Sequence, residues 1–72
     1  MSCILALGEA DELEGFALAG AQVVRTTTST EIIDAWRELD PDVGLVILSA
    51  AAARALGARL AEKPDVLTAV LP

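Results

Sequence analysis

Two runs of this chain, CILALG at 3–8 and VGLVILS at 43–49, are almost free of polar residues. A strand with one wet face alternates polar and apolar side chains, whereas a continuous aliphatic run reads as a strand buried on both sides. That is the signature of a parallel sheet covered by helices, and parallel strands must be joined by crossovers. The intervening segments supply them. EADELEGFALAG at 9–20 places Leu13, Phe16 and Ala17 at helical spacing, opens with acidic residues as a helix N-terminus prefers, and closes on Gly20. TTSTEIIDAWRELDPD at 27–42 carries Thr28 and Glu31 as a capping box and Ile32, Ala35, Trp36 and Leu39 as an apolar stripe, stopped by Pro41. AAAARALGARLAEK at 50–63 reads as a third helix capped by Ser49, with Ala53, Leu56 and Leu60 on one side and Pro64 as its stop.

The shorter runs AQVVRT and DVLTAVLP complete a βαβαβαβ alternation. Gln22 and Arg25 suit the second strand to an edge, and the purely apolar first and third strands belong in the middle, which predicts the order 2-1-3-4. The expected fold is α/β: a small three-layer, Rossmann-like and receiver-like domain over residues 1–72, with a four-stranded parallel sheet and three helices. In that order the first helix lies alone on one face. Part of that face, over strands three and four, is then expected to be bare.

Composition narrows the function classes. A chain of 72 residues buries only about 60% of its unfolded surface, so it is marginal without help. With five basic residues and a net charge of -6 it lacks the basic surface that phosphate backbones demand, so no nucleic acid partner is expected, nor insertion into a membrane. The longest apolar stretch, LVILSAAAA, is far short of a bilayer span, no signal peptide is visible, and the lone Cys3 fits a cytoplasmic protein with a buried, inert thiol.

Catalytic and cofactor motifs are sought at the strand ends, where doubly wound folds hold ligands. Gly15 stands seven positions after Gly8, which is not the spacing of a dinucleotide fingerprint, and there is no Walker lysine. Glu9, Asp11 and Glu12 could in principle hold Mg²⁺, as in a receiver domain, but the third strand ends in Ser49 where such a site needs an aspartate. The simpler reading is a solvated acidic rim, with Glu14, at a helix N-terminus. The chain has no histidine or tyrosine, and Ser49 has no base beside it. No catalytic residue, cofactor or metal is expected. Arg54, Arg59 and Lys63 form a basic face that could meet an acidic partner, and Trp36 reads as a core anchor.

Gly15 is the oddity, since glycine inside a helix costs about 1 kcal/mol against alanine. Close approach is the expected compensation, to the chain's own sheet first and to a partner second. At this point the sequence resembles the F subunit of the V-type and A-type rotary ATPases. ILALGEADELEGFALAG is similar to that family's opening, GFALAG being the most specific piece; TSTEIIDAW, VGLVILS and DVLTAVLP resemble its second helix, third strand and closing strand. The resemblance implies a non-enzymatic central-stalk component, attached to the D subunit beneath the catalytic A and B head and serving proton or sodium transport coupled to ATP hydrolysis or synthesis, cytoplasmic and peripheral to the membrane. It also implies that Gly15, Phe16, Leu18, Ala19 and Gly20 define the fold and make contacts, with Glu9, Asp11 and Glu12 as further interface candidates. Two departures stand out: the family's C-terminal helical segment does not follow Pro72, and SAAAA replaces a Thr-Glu pair after the third strand. The alternatives are a stand-alone receiver-like or small-ligand domain using Gly8, Glu9 and Ser49, and a homodimeric scaffold that hides the bare face against itself.

Overall fold

The computed structural model describes residues 3–9, 13, 15 and 20–71. The strands are β1 (Cys3–Gly8), β2 (Gln22–Arg25), β3 (Val43–Leu48) and β4 (Leu67–Val70); the helices are α1 (Ser29–Arg37) and α2 (Ala50–Leu56), and a 3₁₀ segment, Gly57–Glu62, continues from α2. All strand pairs are parallel and the order is β2-β1-β3-β4, as the composition of the strands predicts. Two α-helices, not three, are defined among the described residues. The helix expected over 9–20 falls mostly outside them; Leu13 and Gly15 are helical, and Gly20 is a turn residue with φ +95.

Register explains which side of the sheet is dry. Leu5 pairs with Val46 and Leu7 with Leu48, so these four share a face. They form one core cluster with Ile32 and Trp36 of α1 and Ala52 and Leu56 of α2. Ala6, on the other face, and Leu13 are also fully buried, outside that cluster.

Both expected N-caps are present. Ser49 Oγ accepts from the Ala52 N–H at 3.1 Å, and Thr28 Oγ1 accepts from the Glu31 N–H at 3.2 Å. Glu31 Oε1 reaches back to the Thr27 N–H at 3.2 Å and accepts the Thr27 hydroxyl at 2.7 Å, one residue before the cap itself. The Thr27 hydroxyl, then its N–H, hold the Glu31 carboxyl below its ordinary value of 4.5. A depressed folded-state pKa contributes stability that is present above 4.5 and lost as pH falls through the folded value. Glu31→Gln should therefore flatten the acid limb of a melting-temperature profile below pH 4.5, whereas an unchanged profile would leave the cap without an electrostatic role.

Three expectations are corrected. The last helix does not run to Lys63: Gly57 turns to φ 51 and ψ -125, ends the α-helical ladder at Leu56, and leaves a tighter 3₁₀ segment. Cys3 is exposed, not buried, because β1 starts at the rim of the sheet beside a register shift between Cys3 and Ile4. β1 and β3 are not dry on both faces along their length, since Ile4 is exposed and Leu45 and Ile47 are only half-buried.

Candidate docking surface

Among the described residues, the side of the sheet opposite the helices α1 and α2 carries most of the open aliphatic side chains. Leu45 pairs with Leu67 and Ile47 with Ala69, and alternation puts all four, with Ile4, on the face opposite α1 and α2. Leu67 is 70% exposed and Ile4 44%, while Ala69 is also exposed. This is the bare region over strands three and four that the layering predicts. β4 is open on its other side too: Val70, which pairs with Leu48 on the helical face, is 51% exposed. An aliphatic strand wet on both faces at a sheet edge, with no charge or proline within it, is unprotected against pairing and packing.

Only some of the expected interface residues lie among those described. Glu9 is exposed just beyond β1, Gly20 is exposed at its turn, and Gly15 is helical and exposed. Asp11, Glu12, Phe16, Leu18 and Ala19 lie outside the described residues. Gly15 does not press on the chain's own sheet, contrary to expectation: a Cβ built there meets nothing within 4 Å among the described residues. The residues that reasoning from sequence did not single out are Ile4, Leu45, Ile47 and Leu67, although the alternation within β3 and β4, once paired in register, marks them.

The strand C-termini hold structure in place of chemistry. Ser49 is 1% exposed and committed to its cap, and Gly8 lies so close that a Cβ there would meet Ser49 Cβ at 2.7 Å. Thr26 is buried after β2, its N–H donating to the Gly8 carbonyl at 2.9 Å. Among the described residues no three His, Cys, Asp or Glu side chains converge as metal ligands, and no helix is long and apolar enough to cross a membrane.

Residues 4–72 match the family described as ATP synthase (F/14-kDa) subunit. The chain belongs to that family. A crystal structure of the F subunit of the V-type ATP synthase from Archaeoglobus fulgidus is similar in fold, with a TM-score of 0.81 and 24% sequence identity, covering 99% of this chain and 98% of that one. No curated protein matches. The resemblance carried by ILALGEADELEGFALAG and the later segments thus identifies the family.

Proposed function

We propose that this ATP synthase F-family protein is a non-catalytic part of the central stalk of a V/A-type rotary ATPase, docking on the D subunit of the rotor shaft through the open part of its sheet over β3 and β4. The observation that carries this reading is the contiguous aliphatic set Ile4, Leu45, Ile47 and Leu67. Covering it removes apolar surface from water at roughly 25 cal/mol per Å², from which association entropy subtracts a large part. Family membership supports the partner class. Docking there links the chain to transport of protons or sodium coupled to ATP turnover, with the chemistry on the A and B subunits.

Leu67→Asp tests it. On a strand that is exposed already, the substitution leaves the folded monomer nearly unchanged but puts a charge in the contact, and binding to the purified D subunit should weaken by about 100-fold or more. Undiminished binding removes the sheet face from the interface. Sedimentation of the isolated chain separates this from a homodimer that covers the face with itself.

Gly15 gives a second handle with opposite signs. Its φ is not positive and no atom of the described residues crowds its Cβ position, so Gly15→Ala should stabilise the isolated chain by about 0.4–1 kcal/mol. If the glycine serves approach by a partner, the same variant binds the D subunit less tightly. A variant that is more stable and binds equally well makes Gly15 irrelevant to docking.

A further inference from the structure

We propose that a groove at the opposite end of the sheet, where β3 and β4 begin, receives a basic apolar segment of a partner protein, with leucine- or valine-like side chains spaced between arginines or lysines. The cleft holds about 330 Å³, the small end of the range for binding pockets. Its apolar floor is Leu39, Val43 and Val66, and Pro41 and Pro64 flank it. Each proline fixes its own φ, so the two turns are preformed and little ordering is lost on binding.

Charge decides the occupant. Asp40, Glu62 and Asp65 line the same groove against one cation, Lys63, whose ammonium lies 5.9 Å from the centre of the Trp36 ring. Asp40 is held in place, since its Oδ1 accepts from the Asp42 N–H at 2.9 Å. Among the described residues these carboxylates do not converge on a point that a metal ion could fill. Spread round an aliphatic floor, they complement separate cationic side chains flanking an apolar one. The groove is distinct from the face that carries Leu67 and does not depend on the docking proposed above.

The test is a titration of the intact ¹⁵N-labelled chain with a short capped amphipathic peptide of leucine and arginine, and with its leucine–glutamate counterpart. Shifts centred on Val43 and on Lys63 to Val66 are expected with the arginine peptide only. The double variant Asp40→Lys, Asp65→Lys should weaken binding at least about tenfold, and Asp40→Asn, Asp65→Asn, which preserves the turn acceptor, by less. Raising salt from roughly 0.05 to 0.3 M should weaken it as well. Leu67→Asp should leave it unchanged. Absence of binding, equal binding of the glutamate peptide, or shifts centred on Leu45 and Leu67 overturns the proposal and leaves the stalk reading standing.

Discussion

Replacing Gly8 with alanine is expected to destabilise the domain by about 3 kcal/mol or more. Two costs combine. The backbone there sits at φ +153, a conformation L side chains rarely adopt, for which roughly 1–3 kcal/mol is usual. The new methyl would also drive into the Ser49 side chain, Cβ and hydroxyl together, where neither partner can retreat: Ser49 is buried and its Oγ caps α2. Overpacking of this kind adds about 1–3 kcal/mol. For a domain of this size, with total stability on the order of 5–10 kcal/mol, that is a large fraction. Urea denaturation measures it. In a Ser49→Gly background the methyl has room, and the cost of Gly8→Ala should fall by about 1–2 kcal/mol. Equal costs in both backgrounds would show that the backbone alone, not the Gly8–Ser49 contact, sets the penalty.

Trp36→Ala should cost about 3–5 kcal/mol, the range for emptying a large buried aromatic site. Trp36 is 1% exposed and sits in the cluster that joins both helices to β1 and β3. It also holds the 3₁₀ segment, its Nε1–H donating to the Arg59 carbonyl at 3.1 Å, with Lys63 above the ring. Trp36→Phe keeps most of the volume and removes that hydrogen bond, so a loss nearer 1 kcal/mol is expected, with faster amide exchange confined to residues 57–63. A phenylalanine variant as unstable as the alanine one would mean that packing volume is not what Trp36 supplies.

These two residues show where reading the sequence succeeds and where it stops. The order β2-β1-β3-β4 is legible because QVVR carries polar residues that an inner strand would not, while ILAL and LVIL do not. The caps at Thr28 and Ser49 are legible because side-chain oxygens bond to backbone a few residues away. What depends on distant partners is not. Gly8 reads as a strand end, yet its need for hydrogen in place of a methyl comes from Ser49, brought close only by β1–β3 pairing. The Trp36 tether to Arg59 spans 23 residues. Gly57 does stand in the sequence as a glycine, but the alanine and leucine spacing on either side reads through it; only its positive φ shows that the α-helix stops there. Cys3 and Ile4 belong to an apolar run, and their exposure follows from stagger at the sheet rim, which composition does not encode. For the candidate site, the uncovered face followed from counting helices against strands, whereas its residues needed the register of β3 with β4.

The account rests on that uncovered face being an interface, and hydrogen–deuterium exchange of the chain alone and bound to the rotor shaft tests it most directly. Amides of β4, Leu67 to Val70, are paired on one side only and should exchange quickly in the free chain, then slow by at least about tenfold on binding, together with those around Leu45 and Ile47. Protection confined to α1 and α2, with β4 exchanging as fast in the complex as in the free chain, would contradict it.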